Sequence, residues 1–105
     1  MRRNTVKDRL GHEIYLTDER CHHICEEHPE MQRYRRRVLE TVRSGRRLQD
    51  SARPDVYLYY RDYSDFLHSN TTLVVVVRFG FDHAGAENNF ILTAYQIRRR
   101  RREDR

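Results

Sequence analysis

The segment LVVVVRF at residues 73–79 places the strongest constraint on the fold, because its four consecutive valines leave no polar side for a solvent-facing surface. β-branched residues favour extended strands, and a strand that is apolar on both faces has to be covered on both. VYLYYR at residues 56–61 and FILTAYQI at residues 90–97 are similarly rich in β-branched and aromatic residues. We therefore predict three strands, with residues 73–77 in the middle.

The connectors between these segments are SDFLHSNT and DHAGAENN, at residues 64–71 and 82–89. They contain the Gly, Asn, Asp and Ser residues typical of hairpin loops, so we expect neighbouring strands to run antiparallel. Near the N-terminus, TVKDRLGHEIYLT at residues 5–17 places two extended segments on either side of Gly11. This pattern predicts a short hairpin at the edge of the sheet.

Two helices are expected between this hairpin and the three strands. Thr17 precedes two acidic residues, as an N-cap hydroxyl does at the start of a helix. Residues suited to a buried stripe then recur at helical spacing, first at Cys21, Ile24, Cys25 and His28, and later at Met31, Tyr34, Val38, Leu39 and Val42. We place Pro29 in the first turn of the second helix, which Ser44 and Gly45 end. The predicted order is ββααβββ: an α+β fold with two N-terminal helices packed on a twisted antiparallel sheet.

Length and charge narrow the functional class. The 105 residues predict a single domain over residues 5–98, followed by a disordered basic tail over residues 99–105. The chain has a net charge of +5, and of its 21 basic residues only Lys7 is a lysine. Guanidinium groups suit phosphate, so a polyanionic partner such as RNA fits this composition. A GC-rich genome would explain the same arginine content without a polyanion, so charge alone leaves the partner open.

The compartment is also constrained by composition. No segment approaches the roughly 18 apolar residues that a membrane span requires, and no signal-peptide core follows the first residues. Cys21 and Cys25 are too few and too close in sequence to indicate the disulfide framework of a secreted domain. We expect a cytoplasmic protein without membrane contact, with both thiols reduced.

Three fragments together carry a resemblance to a known family. They are HI at residues 23–24 followed by HPE at 28–30, YLYYR at 57–61 before the valine strand, and TAY at 93–95. In their order and spacing the chain resembles the phage-associated barnase, EndoU, colicin and RelE-like (BECR) nucleases. The resemblance spans residues 5–98 and implies a metal-independent endoribonuclease without a cofactor. One departure is Cys21, which stands where the family pattern usually has a larger tryptophan.

The candidate site residues form two groups. The resemblance implies catalytic roles for His23 on the first helix, Arg78 on the central strand, and Thr93 and Tyr95 on the last strand. The candidate substrate contacts are His28, Glu30, Arg46, Arg47, Tyr59 and Arg61. Tyr59 and Arg61 alternate on one face of a strand and are expected to line the same cleft. The resemblance also implies a toxin that is held in check by an antitoxin or immunity protein; the oligomeric state is left open.

Metal-free RNA cleavage needs these residue types. The ribose 2′-hydroxyl is the nucleophile, so its proton has to be removed, the charge on the phosphate stabilised and the departing 5′-oxygen protonated. Histidine can take or give a proton near neutral pH, which makes His23 the first candidate. Arg78 stays protonated, so its role would be electrostatic. Thr93 would hydrogen-bond the phosphate, and Tyr95 would stack on a base.

Other interpretations stay open at this point. Each histidine could be an ordinary surface or capping residue, and each tyrosine could simply pack across strands. Cys21, Cys25 and His28 share a helical face and would offer three ligands to zinc, although structural zinc usually takes four. Finally, arginines and tyrosines suffice for a non-catalytic RNA- or partner-binding module, which would bind RNA with a steep salt dependence and leave it uncut.

Overall fold

In a computed structural model, which describes residues 3–64 and 70–98, the valine-rich segment is an inner strand of a mixed sheet. Six strands and two helices occur within the described residues: β1 Arg3–Lys7, β2 Glu13–Thr17, α1 Asp18–Glu27, α2 Arg35–Ser44, β3 Arg46–Gln49, β4 Val56–Asp62, β5 Thr72–Arg78 and β6 Asn89–Ile97. The strand order is β1-β2-β6-β5-β4-β3. The protein is therefore α+β, as expected. The predicted tail, residues 99–105, lies outside the described residues.

The predicted strand arrangement ββααβββ is wrong in two respects. An additional strand, β3, follows α2 directly and pairs antiparallel with β4. Its sequence RRLQ contains a single apolar residue, so the pattern carried little strand signal. The sheet is also mixed, because β2 pairs parallel with β6, whereas the β1–β2 hairpin and the β4-β5-β6 meander are antiparallel as predicted. The β2–β6 pairing joins segments about 75 residues apart, and nothing local in the sequence specifies it.

The helices begin and end partly as expected. The Thr17 hydroxyl accepts a hydrogen bond from the Arg20 amide at 3.0 Å, which confirms the predicted N-cap. Of the predicted α1 stripe only Ile24 is buried. Pro29 does not open the second helix: it begins a separate 3-10 turn, Pro29–Met31. Arg33, with a φ of 73°, then interrupts the helical path, so α2 starts at Arg35.

The core lies between the helices and one face of the sheet, which we call the inner face. Its members come from both helices, from the 3-10 turn and from β2, β4, β5 and β6: Ile14, Leu16, Ile24, Met31, Val38, Val42, Tyr59, Leu73, Val75, Val77, Ile91 and Ala94. α2 contacts β4 and β5 near one side of the sheet and also β1 at the far edge. The sheet therefore curls around α2. Among the described residues, no helix is long and apolar enough to cross a membrane.

A buried hydrogen bond closes this curl. Asp8, which directly follows β1 and is 7% exposed, accepts a hydrogen bond from the Tyr59 hydroxyl at 2.5 Å. The other carboxylate oxygen of Asp8 accepts from the amides of Leu10 and His12, at 3.0 and 2.9 Å. Burial, and then the contact with Asp8, raises the pKa of Tyr59 far above its usual range. Asp8 thus holds the β1–β2 turn and ties it to β4.

We expect Tyr59→Phe to lower the free energy of unfolding by about 1–3 kcal/mol, because it removes a donor from a buried carboxylate. Chemical denaturation followed by circular dichroism measures the change. Tyr57→Phe is the matched control on the same strand, since its hydroxyl has no hydrogen-bond partner among the described residues. Equal stability of the two variants would show that the Asp8–Tyr59 contact contributes nothing net.

Candidate nucleic-acid interface

The strand register decides which candidate residues share a surface. Leu73, Val75 and Val77 face the helices, so by alternation Val76 and Arg78 lie on the opposite face, which we call the outer face. Directly paired residues point to the same side of a sheet. Phe90 pairs with Arg78 and Thr93 with Val76, and a register shift at Val76/Val77 sits between these two pairs.

A row of basic and aromatic side chains crosses the outer face. Tyr15 pairs with Phe90, and their ring centroids are 6.0 Å apart at an angle of 35°. The Arg3 guanidinium lies 4.4 Å from the centre of the Tyr15 ring, and Arg78 pairs with Phe90 on the other side. We call Arg3, Tyr15, Phe90 and Arg78 the outer-face row. It spans four strands, and none of its four members is acidic.

Arg78, at one end of this row, is half exposed and already has one acidic neighbour. Its Nε lies 3.2 Å from the Asp55 carboxylate. That contact fixes the guanidinium plane and uses one of five N–H donors. The terminal nitrogens can therefore still bind an anion bidentately.

His23 lies beside the row. With Arg20, Thr17 and Glu19 it lines a hollow whose other wall includes Tyr15 and Phe90. The His23 side chain is 56% exposed, and its Nδ1 is 3.9 Å from a Glu26 carboxylate oxygen one helical turn away. The hollow thus brings a histidine and an additional cation, Arg20, next to two aromatic rings. This is a geometry that can hold a nucleotide between stacking and charged groups.

Thr93 and Tyr95 lie on one face of β6, as their spacing predicted, and the register with β5 puts Arg78 on the same face of the sheet. The Thr93 hydroxyl oxygen is buried and has no hydrogen-bond partner among the described residues. Tyr95 is partly buried, and its ring lies 5.7 Å from the ring of His28. The three predicted catalytic residues from β5 and β6 therefore share the outer face, whereas His23 reaches its margin from α1.

His28 and Glu30 cover the edge of β6 instead of lining the His23 hollow. His28 ends α1, and its Nδ1 lies 3.7 Å from a Glu30 carboxylate oxygen. Glu30 also accepts a hydrogen bond from the backbone amide of Gln96 at 3.4 Å, and its carbonyl accepts one from the Gln96 side chain at 3.0 Å. These contacts satisfy strand groups that β2 does not reach. These contacts give His28 and Glu30 a structural role at the edge of β6.

The predicted contacts on β3 and β4 separate into two places. Arg46 and Arg61 line one polar hollow together with Arg9 and Asp62. Arg61 is 3.0 Å from the Glu40 carboxylate, whose pKa is lowered by a hydrogen bond from Tyr63 and then by Arg61. Glu40 therefore offsets the charge of Arg61, and the positive balance of the hollow comes from Arg9 and Arg46 against Asp62.

Arg47 points to the inner face, where its guanidinium lies 4.2 Å from the centre of the Tyr57 ring. Tyr59, only 1% exposed, belongs to the core and offers no surface to a substrate. Tyr57 and Tyr59 thus differ in exposure, although they share a face of the strand.

Cys21, Cys25 and His28 do not form a metal site in this geometry. The two free cysteines line a hollow with His22 and Arg33, while His28 turns towards Tyr95. Burial raises the pKa of the Cys25 thiol, and the neighbouring Cys21 adds to this, which disfavours the thiolate that zinc requires. Within the described residues, no three His, Cys, Asp or Glu side chains are grouped so that they could hold a metal ion.

Several residues of this surface were missed by the sequence analysis. Arg3, Tyr15, Arg20 and Phe90 were not singled out, although the alternation of Tyr15 with buried Ile14 and Leu16 indicated an outward-facing ring. Compared with models of protein families, with curated proteins and with solved structures, the chain shows no significant match.

Proposed function

We propose that this protein is a metal-independent endoribonuclease that binds RNA across the outer face of its sheet. The outer-face row is the observation that carries the proposal: two aromatic rings in tilted contact lie between two arginines, with His23 in the adjoining hollow. Rings on a sheet face stack with unpaired bases, and flanking guanidinium groups bind the phosphates between them. The resemblance to BECR nucleases agrees with this use of the surface.

The proposed reaction is a transesterification within the RNA, in which the phosphoryl group moves from the 5′-oxygen to the 2′-oxygen. The imidazole of His23 takes the proton of the ribose 2′-hydroxyl, and the 2′-oxygen forms a bond to phosphorus. The bond from phosphorus to the 5′-oxygen breaks, and that oxygen takes a proton from water or from a protonated side chain. The products are a 2′,3′-cyclic phosphate and a 5′-hydroxyl end.

Arg78 and Thr93 would stabilise the charge that builds on the phosphate. Among the described residues, the terminal nitrogens of Arg78 have no hydrogen-bond partner, so they can donate to a phosphate while Nε stays on Asp55. The Thr93 hydroxyl, buried without a partner among the described residues, would gain a hydrogen bond to a phosphate oxygen if the strands yield slightly. Tyr95 would lie next to the bound strand as a stacking surface.

The deciding experiment incubates the purified protein with total RNA in excess EDTA and identifies the ends of any product. Cleavage with cyclic-phosphate ends supports the proposal. Cleavage only after zinc is added would favour a metal-dependent enzyme. Intact RNA at protein concentrations that saturate binding would exclude the enzyme.

A non-catalytic RNA-binding module is the second candidate, because the outer-face row suffices for binding without bond cleavage. It predicts that RNA is bound in a salt-sensitive manner and recovered intact.

Either function would be exercised in the cytoplasm, where both cysteines stay reduced. For the enzyme, we further propose toxicity and a protein inhibitor with an acidic surface, an antitoxin or immunity protein, that covers the basic outer face.

We expect Arg78→Ala to weaken RNA binding and to make its salt dependence less steep by about 0.7 in the logarithmic slope, the value for one lost phosphate contact on a single strand. Fluorescence anisotropy with a short labelled RNA over a range of salt concentrations measures both. Arg43→Ala is the control, since this exposed arginine lies on α2, which packs against the opposite, inner face of the sheet. An unchanged slope in Arg78→Ala would remove Arg78 from the interface.

A further inference from the structure

A second surface, on the inner face, combines a histidine, an arginine and two aromatic rings. His12 in the β1–β2 turn contacts Phe79 edge to face, with ring centroids 5.1 Å apart. Phe79 contacts Tyr57 at the same distance, and Arg47 lies 4.2 Å from the centre of the Tyr57 ring. We call these four residues the inner ledge. They come from four different parts of the chain and form a continuous line of contacts.

The guanidinium of Arg47 lies flat against an aromatic ring and makes no direct ion pair with a described residue. Arg35, Arg61 and Arg78 each lie within 3.2 Å of a carboxylate oxygen. Arg47 instead lies over Tyr57 and within 5.9 Å of the Phe79 ring, and among the described residues it has no ion-pair partner. Arg47 also makes a hydrogen bond to the Tyr59 hydroxyl, which uses one of its five N–H donors. Stacking on aromatic rings orients a guanidinium, so the remaining donors of Arg47 are held in place to receive an anion.

A carboxylate orients His12. Its Nδ1 lies 3.4 Å from Glu87, which also accepts a hydrogen bond from the Asn89 side chain at 2.8 Å. These two contacts, the Asn89 bond first, lower the pKa of Glu87, so this acid stays charged and favours a proton on Nδ1. Nε2 then points away from Glu87 and, within the described residues, has no hydrogen-bond partner. The ring is one-third exposed.

Phe79 and Tyr57 lie at the border of the core and are only partly buried. Their rings meet at 67° in an edge-to-face contact, and each side chain keeps part of its surface exposed. An unstacked base can lie on such a face, and stacking of this kind contributes about 1–3 kcal/mol per base. A base in a duplex has no free face, so only a single strand fits.

We propose that the inner ledge binds one nucleotide of single-stranded RNA, with the base against Phe79 and Tyr57, the phosphate on Arg47, and His12 as a hydrogen-bond partner through Nε2. The choice of RNA as the ligand rests on the proposed function, whereas the site itself is argued from the contacts of its four residues. It lies on the face opposite the outer-face row, so a strand bound to both would pass around an edge of the sheet.

The test is an NMR titration of the full chain with adenosine 3′-monophosphate, following the histidine and aromatic ring signals. We expect saturable shifts at His12, Tyr57 and Phe79. Arg47→Gln should weaken the affinity about tenfold or more, as loss of a charged hydrogen bond does. Phe79→Leu should weaken it about fivefold or more, through lost stacking. Phe79→Tyr keeps the ring and should bind normally, and Arg53→Ala is the control for charge.

Three results would overturn the proposal: no shift at these rings, equal affinity for inorganic phosphate, or shifts confined to Tyr15 and Phe90. A folded spectrum of each variant separates loss of binding from loss of structure. The titration needs no cleavage, so it is independent of the proposed enzyme. If the protein leaves RNA intact but shows these shifts, the nuclease proposal fails and the inner-ledge proposal stands. If it cuts RNA without these shifts, only the inner-ledge proposal fails.

Discussion

His23→Ala is expected to lower the rate of RNA cleavage by about 10²–10⁴-fold, the usual contribution of a positioned proton-transfer group. In free energy this is about 3–5 kcal/mol of transition-state stabilisation. The side chain is more than half exposed and contributes no buried packing, so stability should not change. RNA affinity should also stay within about twofold, because the outer-face row remains intact. Rates measured at saturating protein, with anisotropy for binding, separate the two effects.

His22→Ala is the matched control for this prediction. His22 is the adjacent residue on the same helix, is 77% exposed and lies 3.4 Å from the same Glu26 that His23 faces. It lines a different hollow, with Cys21 and Cys25. Normal cleavage by His22→Ala beside an inactive His23→Ala would assign the proton transfer to the hollow at the outer face. Cleavage that survives His23→Ala would remove His23 from the reaction.

The alternation of residues along each strand was the main guide to which face of the sheet a side chain occupies. Alternation along β6 was enough to place Thr93 and Tyr95 on one face, because the side-chain period of a strand is two, whereas only the register with β5 puts Arg78 on that face as well. The N-cap at Thr17 and the end of α2 at Gly45 were also predictable from local chemistry. These features depend on neighbours within a few residues of the chain.

Contacts between distant residues account for what the sequence did not reveal. The outer-face row exists because β2 pairs parallel with β6, and that pairing brings Tyr15 to Phe90. Likewise His12 meets Glu87 only because the hairpin turn and the start of β6 lie side by side. Tyr59 was expected to line a cleft on its alternation alone, yet the curl of the sheet buries it against Asp8. Periodicity assigns a face, but it does not tell which part of that face the helices cover.

Gly45→Ala is expected to lower the free energy of unfolding by about 3 kcal/mol, near the upper end of the range for overpacking. A β carbon at this position would lie 2.5 Å from the carbonyl oxygen of Thr41 and 2.6 Å from that of Tyr60. Both are backbone atoms in regular elements, so neither can rotate away. The backbone itself is ordinary, with a φ of −78°, so the requirement for glycine comes from the close approach of α2 to β4.

A smaller opposing effect has to be subtracted. Alanine restricts the unfolded chain more than glycine does, which stabilises the folded state by about 0.4–1 kcal/mol at an unstrained position. Gly80→Ala isolates this effect, because its nearest neighbour would be the Asn88 carbonyl oxygen at 3.6 Å, an ordinary contact. In a domain of this size each kcal/mol moves the melting temperature by roughly 4–8 °C. Thermal unfolding should therefore show a marked fall for Gly45→Ala and little change or a slight rise for Gly80→Ala; similar melting of both variants would mean that α2 and β4 are not in such close contact.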